Sequence, residues 1–198
     1  QTVSVTTTDD DVAGFTIVES DGTTSVDETG TTDTFTVVLD AEPASDVVLT
    51  VTSSDTGEAT VTSTLTFTSA NWDTAQTVTV TGVDDNLVAG SISSTITIAI
   101  DDGNSDDDFD AVANQTVSVT TTDDDVAGFT IVESDGSTEV AESGTTDTVT
   151  VVLDAEPNSD VVISISSDDA GEATVNGPLT FTSANWDTPQ TVAVSGAD

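Results

Sequence analysis

Residues 1–22 recur letter for letter as residues 115–136, so the chain repeats with an offset of 115 − 1 = 114 residues. A repeat of that length is a whole domain, and any fold proposed for one copy has to serve the other. The copies are joined by Thr120-Thr-Thr-Asp-Asp-Asp-Val-Ala-Gly-Phe129. An alternating stretch, 116–120, runs into three adjacent carboxylates, and a second alternating stretch, 129–132, runs out of them. A strand entering and a strand leaving three like charges make a poor flexible linker and a good cation site, because clustered oxygen ligands suit a hard divalent ion such as Ca²⁺.

The charge balance strengthens that expectation. The chain holds 38 Asp and Glu against no Lys, Arg or His, for a formal net charge of −38. No internal ion pair can relieve the repulsion, which leaves bound cations and the screening of a salty medium. Nucleic acid and anionic membrane surfaces are excluded as direct partners, since no side chain can meet a phosphate with positive charge. No apolar run approaches the roughly 20 residues of a spanning helix, so direct membrane insertion is not expected. Without His, Cys, Lys, Arg or Tyr the usual general bases, nucleophiles and oxyanion-stabilising cations are missing, and the chain reads as no enzyme.

Period-two alternation dominates. It predicts strands at 14–19, 34–39, 47–53, 65–68, 77–81, 92–100 and 116–121 in the first copy, separated by turn-rich stretches such as Ala41-Glu-Pro-Ala-Ser-Asp46. About seven short strands rich in Thr and Val fit an all-β architecture of tandem immunoglobulin-like Greek-key sandwiches. The expected division is 1–11 as the last strand and linker of a preceding repeat, 12–125 as a complete repeat, and 126–198 as a repeat truncated before its last two strands. Two full repeats need 2 × 114 = 228 residues, so 228 − 198 = 30 are wanting, the counterparts of 85–114. The seventh strand of the second copy is expected from outside it, with residues 1–7 of a neighbouring chain as a candidate.

Strand direction tells which loops share a pole. The loops after the first, third and fifth predicted strands lie together and carry Glu28, then Asp55 and Glu58, then Asp84 and Asp85. The last strand ends at the same pole and delivers Asp123, Asp124 and Asp125. A single Asp-rich loop is ordinarily a solvated turn; this convergence without any compensating cation favours metal. Residues 101–110 lie at the opposite pole beside Asp9, Asp10 and Asp11, where a solvated acidic loop is the better expectation. Trp72 and Trp186 sit in the same phrase, Ser-Ala-Asn-Trp-Asp-Thr, and are expected to cap the core rather than to offer a sugar-stacking platform.

Together, Asp-Asp-Asp-Val-Ala-Gly-Phe, Val26-Asp-Glu-Thr-Gly30 and the run from Leu65-Thr-Phe-Thr through Asn71-Trp to Gln76-Thr-Val-Thr-Val-Thr-Gly-Val-Asp-Asp85 resemble Calx-β-type repeats, and more narrowly the Ig-like extender repeats of giant bacterial adhesins of the RTX class. The resemblance spans the whole chain. It implies that Ca²⁺ is held by Glu28, by Asp84 and Asp85, and by Asp123, Asp124 and Asp125. The 114-residue offset carries the same roles to Asp9, Asp10 and Asp11 before the first repeat and to Glu142 and Asp198 in the second. Leu87-Val-Ala-Gly90 lacks the further acidic residue common in that family. The implied function is a Ca²⁺-rigidified spacer of a secreted or cell-surface adhesin, exported by type I secretion to the bacterial cell surface, with adjacent repeats as partners. The alternatives are an extracellular matrix filament whose chains share strands, and a Ca²⁺-dependent carbohydrate-binding module.

Overall fold

The computed structural model describes residues 1–8 and 10–198, and the chain forms two compact units. The first comprises Gln1–Asp85 and Ser91–Asp123, the second Asn86–Gly90 and Asp124–Asp198.

Among the described residues the first unit holds nine strands: β1 (Phe15–Glu19), β2 (Thr24–Asp27), β3 (Thr32–Leu39), β4 (Val47–Ser53), β5 (Ala59–Val61), β6 (Thr64–Phe67), β7 (Gln76–Gly82), β8 (Ile92–Ile100) and β9 (Gln115–Thr122). The seven predicted strands are all present, with ends that shift by no more than two residues, while β2 and β5 are additional. One sheet has the order β1-β3-β7-β5, the other β2-β9-β8-β4-β6. All pairings are antiparallel except β2 with β9, which run parallel from Thr24↔Val119 to Asp27↔Thr122.

Alternation explains why these sheets stack. In β3, Phe35, Val37 and Leu39 are buried while Thr36 and Val38 are only partly covered. Val78 and Val80 of β7 are fully buried beside them. From the facing sheet come Leu49 and Val51 of β4, Ile96 and Ile98 of β8, and Val117 and Val119 of β9, all in one hydrophobic cluster. Period-two side chains put every inward residue on one face, so two such faces close over each other as a sandwich.

The second unit repeats half of this plan. β10 (Phe129–Glu133), β11 (Thr146–Leu153), β13 (Ala173–Val175) and β15 (Gln190–Gly196) form a sheet in the order β10-β11-β15-β13. Its register copies the first unit, with Phe129↔Leu153 where the first has Phe15↔Leu39. Only β12 (Val161–Ile163) and β14 (Leu179–Phe181) face it. Among the described residues nothing in this unit corresponds to β8 and β9, and residues 138–141, the counterparts of β2, form no strand. The core shrinks to Val151, Leu153, Leu179, Phe181 and Val192. Residues 86–90 belong with this unit: the Glu156 amide donates to the Asn86 carbonyl at 2.6 Å, and the Asn158 side-chain amide donates to the Val88 carbonyl at 3.1 Å.

One glycine links fold to site. Gly82 closes β7, its amide donates to the Thr31 carbonyl at 3.0 Å, and a Cβ there would lie 2.0 Å from the Asp27 carbonyl oxygen. Nothing larger than hydrogen fits between the ends of β2 and β7. Gly82→Ala must push these backbones apart, at a cost of about 1–3 kcal/mol. Thermal melting of the variant is expected to show a clear fall, larger than for Gly57→Ala, whose Cβ would meet only an Asp55 side-chain oxygen at 3.2 Å.

Candidate metal centre

β2 and β9 bring the first acid to the end of the sandwich. Asp27 pairs with Thr122 in the parallel ladder, and the next residue, Glu28, donates its amide to the Thr122 carbonyl at 3.1 Å. The chain then turns through Gly30, whose φ of +85° suits glycine. Asp27 serves the turn, accepting from the Thr29 hydroxyl and, at 3.1 Å, from the Thr29 amide. The Thr29 hydroxyl bond is the main reason its carboxyl is held below the usual range; partial burial opposes this, and Thr31 adds a weaker contribution. Glu28 is thereby left to point inward, 1% exposed.

Glu58 arrives from the β4–β5 connection. Asp55 shapes this loop by accepting from the Gly57 amide at 3.0 Å, and the Glu58 carbonyl accepts from the Val83 amide at 3.0 Å and the Thr121 hydroxyl at 3.3 Å. The loop is therefore tied to the ends of both β7 and β9. Glu58 is 7% exposed, and its Oε2 is buried with no hydrogen-bond partner. Burial pushes its carboxyl above the ordinary glutamate value, and the charges of Asp85, Asp55 and Asp123 raise it further.

Asp85 follows β7 by three residues and completes the group: carboxylate oxygens of Glu28, Glu58 and Asp85 lie within 4.8 Å of one another. At that spacing each pair of unit charges repels by about 3 kcal/mol for an effective dielectric near 20. Asp123, one residue beyond β9, is half-buried and close enough to act on Glu58. An all-carboxylate donor set of this kind is chemistry for a hard cation taking 6–8 oxygens, and the orphaned Glu58 oxygen is an open ligand position.

The remaining predicted acids take several places. Asp84 is exposed beside Asp85. Asp124, exposed, and Asp125, half-buried, open the second unit. Asp10 is exposed, and Asp11 is exposed along a cavity it shares with Asp106 and Asp108; Asp9 lies outside the described residues. Glu142 and Asp198 are exposed, and among the described residues neither joins a group of converging ligand atoms. The reason is local. Glu28 is aimed by the β2–β9 ladder, whereas 138–141 have no such strand beside them.

At the other end, Asp106 is buried but fully engaged. It accepts from the Ser45 amide at 2.7 Å and the Asp108 amide at 3.1 Å, capping the short 3-10 turn Asp107–Phe109. Its carboxyl is held below the usual range by those amide bonds, that of Asp108 first. Trp72 is partly buried against the core, and its carbonyl accepts from the Leu39 amide at 3.1 Å; Trp186 does the same for Leu153. Glu58 stood among the converging loops in the sequence but outside the ligands carried over by resemblance. Its signal is position: an acid immediately before the short strand Ala59–Val61, of which Ala59 is buried.

No family model matches the chain, and no curated protein matches it in sequence. Among solved structures it is similar to the calcium binding domain CBD12 of CALX1.1, at 14% identity and a TM-score of 0.39 over 92% of this chain and 76% of that one. It is also similar to SSP-19, an MSP-domain-like protein of Caenorhabditis elegans, at 17% identity and a TM-score of 0.34 over 51% of this chain and 92% of that one. A third is the surface layer protein SbsC, domains 4–9, at 22% identity and a TM-score of 0.35 over 92% of this chain and 27% of that one. The class of the present chain rests on its own packed sheets, which make it an all-β immunoglobulin-like sandwich.

Glu58 supplies a test with a defined sign. Its folded pKa lies above the ordinary value, so the folded state holds the proton more tightly than the unfolded chain. The stability this confers is present at acid pH and is lost as pH rises from the ordinary glutamate range through the raised folded value. Without divalent ions, Glu58→Gln is expected to melt higher than the parent at neutral pH and to lose that advantage in acid. The same variant is expected to gain less than the parent from added Ca²⁺. Melting curves in EDTA and in Ca²⁺ at both pH values check this.

Proposed function

We propose that the chain is part of a Ca²⁺-braced spacer, in which tandem sandwiches do mechanical rather than catalytic work. The observation that carries this is Glu58, more than nine-tenths buried, with an unpartnered oxygen beside Glu28 and Asp85. A buried carboxylate without a partner costs several kcal/mol unless a cation meets it. Ca²⁺ would be held by Glu28, Glu58, Asp85 and Asp123, and would supply the positive charge that the sequence lacks.

The place of these acids supports a bracing role. The chain passes out of the first unit directly after Asp85 and again after Asp123. An ion drawing on both residues fixes the two exits together, so that filling the site restrains how the chain leaves the domain. Near-identity of the repeats fits a spacer, which needs equivalent units, better than a recognition module, whose loops diverge. Trp72, packed against the core, does not offer the open aromatic face a sugar-binding module would use. The setting that accords with resemblance and charge is an extender of a secreted or cell-surface bacterial adhesin of the RTX class, outside the cell and exported by type I secretion. Adjacent repeats of the same polypeptide are its partners.

Removing Ca²⁺ is expected to lower the melting temperature and to change the maximum dimension measured by small-angle scattering. An ion at about a hundred times its Kd adds about 2.7 kcal/mol to the folded state. Identical scattering and melting in Ca²⁺ and EDTA would refute the proposal.

The ligands are tested separately. Asp85→Asn removes charge from the centre and is expected to weaken Ca²⁺ binding in isothermal titration. Asp33→Asn is the control. Partial burial raises the Asp33 pKa, but bonds from the Ser25 and Thr34 amides and the Ser20 hydroxyl outweigh it and hold the carboxyl below the ordinary value. The stability Asp33 provides is therefore present above the ordinary Asp range and lost as pH falls through the folded value. Its variant should melt lower at neutral pH while binding Ca²⁺ normally.

A further inference from the structure

We propose that the Ser94 hydroxyl holds a water molecule bound to the Ca²⁺ at Glu58, and so positions the ion from inside the sandwich. This rests on the Ca²⁺ reading above and adds to it a residue that no acidic motif reveals. Along β8 the buried, inward places are Ser94, Ile96 and Ile98, while Ser93 and Thr95 are exposed. A serine thus stands where the alternation asks for an apolar side chain. Ser94 is 1% exposed, and its Oγ has no hydrogen-bond partner among the described residues. A buried hydroxyl left unsatisfied forfeits its whole hydration, a cost that alanine in the same place would avoid.

The strand pairings put this hydroxyl at the acidic end of the first unit. Ser94 pairs with Val119 of β9. The next inward residue of β9 is Thr121, whose hydroxyl donates to the Glu58 carbonyl at 3.3 Å. On its other edge β8 pairs with β4, from Leu49↔Ile100 to Ser53↔Ile96. The loop leaving β4 stays fastened to β8: the Ser54 amide donates to the Thr95 carbonyl at 2.9 Å, and the Thr95 amide donates to the Ser54 hydroxyl at 2.9 Å. Ser94 therefore lies beside the loop that carries Asp55 and Glu58, on the inner side of the sheet.

Glu58 Oε2 and Ser94 Oγ are both buried and unpartnered, and they do not bond to each other. The carboxylate oxygen calls for a cation, the hydroxyl for a hydrogen-bond donor. A hydrated cation meets both. Ca²⁺ takes 6–8 oxygens and accepts water among them. Water on a divalent ion is polarised by it and donates more strongly than bulk water. Ser94 has a single carbon between backbone and oxygen, and Ile92 takes the inward place of β8 nearer the strand end. A water spans that step, accepting nothing from the carboxylates and donating to Ser94 Oγ, and such a bridge is nearly as favourable as a direct bond.

Isothermal titration of Ca²⁺ into the parent, Ser94→Ala and Ser93→Ala tests this, together with melting curves in EDTA. Ser94→Ala is expected to raise the Kd for Ca²⁺ about tenfold, as loss of an outer partner of a metal site does. In EDTA it is expected to melt no lower than the parent, because it removes only an unsatisfied hydroxyl. Ser93→Ala, exposed on the same strand, should bind as the parent does. Eu³⁺ in place of Ca²⁺, with luminescence decay compared in H₂O and D₂O, counts the waters on the ion. That count is expected to be the same in Ser94→Ala as in the parent, and not zero. If the parent binds Ca²⁺ and Ser94→Ala binds it equally well, the role of Ser94 is overturned and the Ca²⁺ reading stands. An equal loss of affinity in Ser93→Ala, or a lower melting temperature of Ser94→Ala in EDTA, has the same meaning. A water gained in Ser94→Ala would make the hydroxyl a direct ligand and overturn the bridge. A parent that binds no Ca²⁺ would overturn both readings.

Discussion

With 38 carboxylates and no cationic side chain, the chain has to give each negative charge to solvent, to a hydrogen-bond donor or to another carboxylate, and the structure sorts its acids along those lines. Many are satisfied by the Thr and Ser hydroxyls and backbone amides that dominate the surface. Asp40 accepts from the Thr16 hydroxyl at 2.8 Å, and Asp154 from Thr130 at 2.8 Å in the second unit. Asp33 and its counterpart Asp147 each gather an amide or hydroxyl from three places. Bonds to the charged form lower a carboxyl's pKa and need no counterion. A chain without Lys or Arg can fold because its strands are lined with small donors.

Glu28, Glu58 and Asp85 break that pattern. Their oxygens converge on one another, and burial with neighbouring charge raises the pKa of Glu58. Backbone ladders enforce this arrangement: β2 runs parallel to β9, the Glu58 carbonyl is tied to Val83 and Thr121, and Gly82 allows β7 to pass against Asp27. The strands that build the core thus hold like charges together at its end. A divalent ion is the simplest agent to reconcile the two, and the proposed bracing role follows from where the chain leaves the unit.

The two units amount to one sequence folded with different neighbours. Phe15 and Phe129 share a pairing register and a local sequence, yet one is core and the other half in solvent. Residues 24–27 form a strand and residues 138–141 do not. The difference lies in what stands alongside, since a short segment becomes a strand only when a partner satisfies its amides and carbonyls. Glu28 is aimed and Glu142 is exposed for the same reason.

The alternation of Thr with Val, Ile and Phe determined by itself the all-β class and seven of the nine strands of the first unit, because a period of two assigns faces whatever the partner. The loops that share a pole could also be read off, since antiparallel order alternates the ends at which connections lie. The tertiary structure decided the rest. β2 and β5, four and three residues long, lie in turn-rich sequence and exist because β9 and β7 offer them edges. Which acids of the Asp-rich loops converge depended on those pairings, made across as many as 95 residues, from Thr24 to Val119. Sequence gives each acid its charge; only the strand beside it decides whether that charge faces water, a hydroxyl or another acid.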